Sequence, residues 1–477
     1  IYTGEDTLSL HDALPICENL DINPLALEAS ITGEVYDGIP TEELQDRVIL
    51  AARRLFSVDE PEWSIVAGRL AMMNIWKTTD RERGFSGYNR GGYSFSQYLT
   101  YQCDREVYDR TFLDFYSSED ISELQSLMDF NLDLVYDYAG VTSWQKAYLL
   151  DGELPQEALM VISMNLGMRE ESDVRLQFVK DAYAEFSERR LSLSTPMLGN
   201  LRKPHGSVSS CFVMTIDDSL ESIMDKVKEA AMISKNGGGV GMCFSNIRSQ
   251  GAQIQGVYGR SGGVVPWIRL VNDTAVAVNQ LGKRPGAITV ALDVWHADVL
   301  DFLDLKLENT DQRRTAHDVF PQLVLNDLFM ERLEDKSDWT ILDPHEVKQV
   351  LEIDLAQTCG QDFRLSYLKA EQAFKNGLLK LGQTIPSLDI LRKILKSYGA
   401  GSGLPYLTFK DALNQGNPNK DLGIIPSLNL CVESSSLVTS DLTHVCNLIS
   451  LNLANTTLDT LEKSVNLAVR VLDNAID

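Results

Sequence analysis

The sequence predicts an α/β protein with a mainly helical first part. Three observations carry this. Helical periods dominate residues 98–190. From Ser194-Thr195-Pro196 onward, short β-rich runs alternate with helical stretches, the pattern of parallel α/β architecture. The chain has 477 residues, 44% of them apolar, which is enough for two or three domains with a sizeable core.

The elements follow in order. Residues 1–16 carry no clear period and are left unassigned, with their native origin an open question. Residues 24–80 read as two amphipathic helices around the turn Tyr36-Asp37-Gly38-Ile39-Pro40, with a third beginning near Glu60-Pro61-Glu62. Thr41 is the expected N-cap of the second. Glu42 and Glu43 follow in its first turn, where the helix dipole favours acidic side chains. Residues 81–97 are rich in Gly, Arg, Ser and Tyr and read as a loop or boundary. The helical stretch that follows ends in Val174-Arg175-Leu176-Gln177-Phe178-Val179. The expected strands are Ser209 to Thr215, Gly239 to Ser245, Ala287 to Leu292 and Gln322 to Leu325. Helices are expected from Asp218 and from Val264. Asp218 is read as the cap of its helix, with Glu221 completing a capping-box-like pattern. Leu220, Ile223, Met224, Val227 and Ala231 form one apolar stripe.

A formal charge of −25 argues against broad contact with nucleic acid or acidic lipid. It leaves room for a single nucleotide, which needs only a nest of backbone N–H groups or a helix N-terminus. No apolar run approaches the ~20 residues of a membrane span, and no secretory leader is evident. The seven cysteines are dispersed with no CxxC, so neither a zinc ribbon nor a disulfide framework is indicated. A reducing cytoplasm fits, with any disulfide transient and catalytic.

Three cysteines stand out. Cys431 lies in Asn429-Leu430-Cys431-Val432-Glu433, Cys211 ends Ser209-Ser210-Cys211, and Cys446 lies in His444-Val445-Cys446-Asn447-Leu448. In an extended segment, Asn429, Cys431 and Glu433 would point to one face. An amide, a thiol and a carboxylate so aligned can bind a hydroxyl pair, abstract a hydrogen atom and remove a proton. By chance such a three-residue pattern turns up in roughly 5% of chains this long. The run Gly237-Gly238-Gly239-Val240-Gly241 is not a Walker loop, because no Gly-Lys-Ser/Thr follows it. Its other reading is a tight approach to a strand that needs glycine conformations.

Together these segments resemble the catalytic large subunit of the aerobic, class I ribonucleotide reductases. The resemblance runs from about residue 17 to the C-terminus and is strongest from Leu191. It is carried by Ser194-Thr195-Pro196-Met197, Ser209-Ser210-Cys211, Asp218-Ser219-Leu220-Glu221-Ser222-Ile223, Lys283-Arg284-Pro285-Gly286-Ala287, Trp295-His296-Ala297-Asp298-Val299, Phe302-Leu303-Asp304-Leu305-Lys306 and the Cys431 motif. It implies a ten-stranded α/β barrel over 191–477, a helical domain over 91–190 and an ATP-cone remnant over 17–90. The family's opening hairpin with Lys-Arg-x-Gly is absent.

The resemblance also implies roles. Cys431 would sit at the tip of a central loop inside the barrel, become a thiyl radical and abstract the 3′-hydrogen of a ribonucleotide. Glu433 would take the 3′-hydroxyl proton, and Asn429 would hold the ribose hydroxyls. Cys211 and Cys446 would be the redox pair, with Cα atoms within about 7 Å. Thr195, Ser210 and Gly239 would line the substrate pocket. Asp218, Ser219, Arg248, Gln280 and Arg284 would serve a nucleotide effector, with the 280–286 loop reporting effector identity to the substrate. No metal site or tightly bound cofactor is expected in this chain. ATP and deoxynucleotide effectors come with Mg2+, and the radical comes from a metal-containing small subunit. Homodimerisation, thioredoxin or glutaredoxin as reductant and a cytoplasmic location complete the expectation.

The family continues beyond the position of Asp477 with later barrel strands, a phosphate-gripping loop, paired tyrosines and a cysteine tail. The chain is therefore expected to be inactive alone. Two other readings stay open: a non-catalytic nucleotide-binding relative and a vitamin B12-dependent reductase.

Overall fold

A computed structural model describes residues 16–84, 93–254, 259–279, 286–308 and 311–476. The described chain forms two compact units. One comprises residues up to Val208 together with Leu448 onward, and the other comprises Ser209–Asn447.

The first unit is helical. Pro24–Ile31, Thr41–Leu55 and Trp63–Arg83 form the three helices expected near the N-terminus. Thr41 is the first helical residue and not the cap. Pro40 precedes it, and no side chain caps the helix. Pro40 already fixes the extended backbone that a cap residue supplies. Helix Pro155–Gly167 is buried along almost its whole length. Its Glu157 accepts from Arg83, and both side chains are fully buried. Strand Leu191–Leu193 pairs antiparallel with Ile449–Leu451. Helix Leu458–Asn474 follows that return strand and buries Leu467 and Val471. Among the described residues, no helix is long and apolar enough to cross a membrane.

The second unit is built on a six-stranded sheet. In chain order its elements are β1 (Cys211–Thr215), helix α1 (Leu220–Lys235), β2 (Gly239–Cys243), helix α2 (Val264–Ala277), β3 (Ile288–Asp293), β4 (Val319–Leu325), β5 (Tyr406–Phe409) and β6 (His444–Cys446). The spatial order is β5-β4-β3-β2-β1-β6. The first five strands are parallel, as the alternation predicts, and β6 runs antiparallel on the edge beside β1.

Strand alternation gives the sheet two faces. Met214, Val240, Met242, Ile288, Val290, Leu292, Leu323 and Leu325 enter the core shared with Ile223 and Ala230 of α1 and Ile268 and Val271 of α2. The residues between them are smaller or polar. Cys211 stands opposite Gly239, Val213 opposite Gly241, Gly241 opposite Thr289, and Ala291 opposite Gln322. Buried Lys410 reaches this second face, 3.4 Å from Asp293 Oδ1, and donates to Ala356 O at 2.8 Å.

Helix α1 corrects two expectations. Its cap is Ser219, whose Oγ accepts from Ser222 N at 3.1 Å, not Asp218. The Asp218 carboxylate is engaged by Arg248. The apolar stripe also does not face the core throughout. Ile223 is buried, but Leu220 and Met224 are 65% and 47% exposed. The packed face runs through Ile223 and Ala230 to Ser234, rotated from the stripe read in the sequence.

Candidate functional site

The site is made by a loop laid over the second face of the sheet. The chain leaves β5 through helix Lys410–Gln415, turns at residues 418–422 and then runs over the strands without regular structure to Asn429. Glycines let it lie close. A Cβ on Gly241 would stand 2.4 Å from Leu428 O, and one on Gly239 would stand 2.5 Å from Leu430 Cδ2. Two polar side chains hold the loop down. Gln322 Oε1 accepts from Leu428 N at 3.2 Å, and Thr289 Oγ1 donates to Leu430 O at 3.0 Å. The glycine run thus serves two ends. Gly237 takes a φ of 95° before the strand, and Gly239 and Gly241 clear a path for the loop. The approach seen at Gly239 is that of Leu430.

At the end of the loop the backbone turns sharply. Val432 N donates to Asn429 O at 3.2 Å, closing a four-residue turn with Cys431 inside it. Val432 has a φ of 64°. A β-branched residue in that region is strained by roughly 1–3 kcal/mol, and such strain clusters at functional positions. The expectation that Asn429, Cys431 and Glu433 alternate along an extended strand is therefore corrected. The turn brings Asn429 and Glu433 together. Asn429 Oδ1 accepts from Glu433 N at 3.0 Å and from Ser434 N at 2.9 Å, while its Nδ2 donates to Glu433 Oε1 at 2.7 Å. Cys431 is exposed at the tip.

Beside the turn lie the other two thiols. Cys446 of β6 is in direct register with Cys211 of β1. Residues so paired have Cα atoms about 4.5–5.5 Å apart, inside the span a disulfide needs. The ligating atoms of Cys211, Cys446 and Glu433 all lie within 4.8 Å of one another. Cys211 Sγ is 3.6 Å from Glu433 Oε1. The thiols are not equivalent. A hydrogen bond with Cys446, and then burial, push Cys211 well above the ordinary thiol value. The hydrogen bond from Cys211, reinforced by one from Ser434, holds Cys446 below it. Cys211 has a single hydrogen to share between Glu433 and Cys446, so whichever acceptor carries negative charge takes it.

The remaining expected residues are spread out. Ser210 N donates to Cys446 O at 3.0 Å, and its buried Oγ has no partner among the described residues. Thr195 opens helix Thr195–Asn200 in the first unit, 3.5 Å from Tyr148 Oη. Asp218 and Arg248 form an ion pair at 2.9 Å, and His345 Nδ1 lies 3.1 Å from the same carboxylate. Gln280 and Arg284 lie outside the described residues, as does most of the 280–286 loop.

Sequence reasoning missed several residues. Gln322 and Thr289, the loop's anchors, carry no local signal. Asp298 reaches back to accept from Gln250 N and Val264 N, capping α2 where Gly263 has no side chain. His296 Nε2 meets Ile247 O at 2.7 Å, so the Trp-His-Ala-Asp segment is structural. Ser434 and His444 were also missed, although His444 precedes Cys446 by two residues on one strand and is one of only six histidines.

Comparison with known proteins follows this geometry. A family profile described as "Ribonucleotide reductase, barrel domain" matches residues 209–477, and one described as "Ribonucleotide reductase, all-alpha domain" matches residues 134–206. The "Ribonucleoside-diphosphate reductase subunit alpha" of Synechocystis sp. is 45% identical over 465 residues, covering 97% of this chain and 59% of that protein. The subunit of the same name from Helicobacter pylori is 34% identical, covering 98% and 64%. The "Ribonucleoside-diphosphate reductase large chain" of Neurospora crassa is 32% identical, covering 97% and 49%. The chain thus spans about half to just under two thirds of the length of these relatives.

Proposed function

This chain belongs to the ribonucleotide reductase large-chain family, and we propose that it carries the catalytic thiols of an enzyme reducing ribonucleoside diphosphates to 2′-deoxyribonucleotides. The observation that carries the reading is the Cys211–Cys446 register pair set against Glu433 beneath the Cys431 turn. A thiyl on Cys431 takes the 3′-hydrogen, and Glu433 accepts the 3′-hydroxyl proton. The 2′-hydroxyl leaves as water. The Cys211–Cys446 pair supplies two electrons and two hydrogens and closes to a disulfide. The turn geometry supports these roles, because it presents Cys431 at an exposed tip while Asn429 fixes the carboxylate four residues on. The orphaned Ser210 hydroxyl supports a polar ligand beside the pair, with Thr195 and Gly239 as further substrate-pocket residues.

The wider assembly belongs to the same proposal. A metal-containing small subunit supplies the oxidising equivalent. Deoxynucleotide and ATP effectors with Mg2+ bind near Asp218, Ser219 and Arg248, with Gln280 and Arg284 on the reporting loop. Thioredoxin or glutaredoxin reopens the disulfide in the cytoplasm. A homodimer formed across α1 is supported by the exposure of Leu220, Met224 and Met232. We assign 17–90 to an ATP-cone remnant, 91–190 to the helical domain and 191–477 to part of a ten-stranded barrel.

The test uses the protein extended to the length of its relatives, with small subunit, effector, a dithiol and a ribonucleoside diphosphate. Deoxynucleotide should form, and a Cys431→Ser variant should form none above background. Effector binding with no product from the unaltered protein would favour the non-catalytic reading.

A further inference from the structure

The two thiols and the carboxylate of the site also have the make-up of a metal centre. Cys211 and Cys446 come from β1 and β6, and Glu433 from the turn of the loop. Their ligating atoms all lie within 4.8 Å of one another. Among the described residues this is the one gathering of three such side chains. No local spacing announces it, because Cys211 and Glu433 are 222 residues apart. We propose that the reduced chain binds a Zn2+ ion on Cys211 Sγ, Cys446 Sγ and a Glu433 carboxylate oxygen, and that the bound ion holds the pair reduced and unreactive.

The dimensions fit. Zinc takes sulfur at about 2.3 Å and carboxylate oxygen at about 2.0–2.2 Å, in a tetrahedron. That geometry sets sulfur and oxygen roughly 3.5 Å apart and two sulfurs roughly 3.8 Å apart. Cys211 Sγ stands 3.6 Å from Glu433 Oε1. The ion thus takes the place of the hydrogen that Cys211 directs at that oxygen. The carboxylate is already oriented, since Asn429 Nδ2 donates to Oε1 at 2.7 Å, as outer partners of metal ligands do. Cys211 is buried, Cys446 half-buried and Glu433 exposed, so the ion has a way in past the carboxylate. Two soft sulfurs with one oxygen suit Zn2+ and do not suit Mg2+ or Ca2+, which take oxygen throughout.

Binding balances without a redox step. Two S–H protons pass to solvent, two S–Zn bonds form, and no electron changes hands. A disulfide joins the same sulfurs at about 2.05 Å and leaves no thiolate to bind, so the site exists only in the reduced pair. While the ion is bound, the thiols cannot yield electrons and Glu433 cannot take a proton. Zinc therefore shields the pair from oxidants and keeps the site idle until a chelating group removes it.

This inference rests on the reading of Cys211 and Cys446 as a redox pair, and one experiment separates the two. The reduced, metal-free chain is alkylated with iodoacetamide with and without Zn2+, and each cysteine peptide is quantified by mass spectrometry. A parallel sample is oxidised with diamide and mapped for disulfides. Protection of the buried Cys103 and Cys243 reports folding. Zn2+ at about ten times its Kd should slow Cys211 and Cys446 about tenfold, and EDTA should restore both. Cys431, exposed and outside the ligand set, should react as before. Glu433→Gln keeps the shape of an exposed side chain and should weaken Zn2+ by at least about tenfold, the loss that removing even an outer partner brings. Co2+ in place of Zn2+ should give thiolate-to-metal charge-transfer absorption, which Cys446→Ser should lose. Equal slowing of Cys431, or protection unchanged in Glu433→Gln, would overturn the site. So would a chain that forms the Cys211–Cys446 disulfide with diamide while Zn2+ protects neither thiol. Zn2+ protection of both thiols in a chain that never forms that disulfide would instead overturn the redox pair.

Discussion

The two faces of the second unit's sheet differ in kind although the same strands make both. On one face Met214, Val240, Met242, Ile288, Val290 and Leu292 are buried against α1 and α2. On the other, Cys211, Gly239, Gly241, Thr289, Asp293 and Gln322 carry a loop, a buried cation and the thiols. The first face is optimised for apolar burial. The second gives up that burial and accepts costs: Gln322 Nε2, Asp293 Oδ2, Thr408 Oγ1 and Ser427 Oγ are buried without a partner among the described residues. Polar groups left so are expensive, and a fold tolerates them where they do something else. Stability is therefore expected to reside on one face and chemistry on the other.

Substitutions can break or sharpen that contrast. The largest effect on stability is expected at Lys410. Lys410→Met leaves Asp293 buried without its cation, which should cost about 3–5 kcal/mol. Burial already raises the Asp293 carboxyl. A carboxyl raised in the folded state contributes stability that is present below its unfolded value and lost as pH rises through the folded one. The loss in Lys410→Met should therefore shrink when unfolding is followed at about pH 4 in place of neutrality. A loss independent of pH would mean that packing, not charge, holds this site.

Gly241→Ala comes next. Its methyl meets backbone at 2.4 Å, so the loop must lift, at about 1–3 kcal/mol. Cys211–Cys446 bridging and Cys431 alkylation should both change, because the turn carrying Glu433 moves. Thr289→Val removes the anchor of Leu430 O at about 1 kcal/mol and should also alter Cys431 alkylation. On the apolar face, Ile288→Val should cost a similar 0.5–1.5 kcal/mol or so, yet leave both thiol readouts as they were. If Ile288→Val and Thr289→Val change the thiols equally, the two faces are not functionally separate.

What the sequence disclosed follows the same division. Apolar periodicity made the parallel strands and the helices α1 and α2 legible, because burial on one face imposes a regular pattern. Cys431 was legible because Asn429, Cys431 and Glu433 share a short motif, whereas Cys211 and Cys446 were singled out by the family resemblance. The turn there was not, since Val432 gives no warning of a positive φ, and alternation suggested a strand. Edge strand β6 was missed because three residues carry too little pattern. Asp218 was read as a cap because its partner Arg248, thirty residues on, is brought to it only by the fold. Gln322, Thr289 and Ser434 act through contacts made by chain crossing, which no local spacing encodes.

The central claim is that Cys211 and Cys446 are the pair that yields electrons to the substrate. The most direct measurement is one turnover without external reductant, in the protein extended to the length of its relatives, followed by peptide mapping under conditions that trap thiols. Deoxynucleotide should appear in step with a Cys211–Cys446 disulfide, while Cys103 and Cys243 stay reduced. Product formed with Cys211 and Cys446 both still thiols would contradict the account.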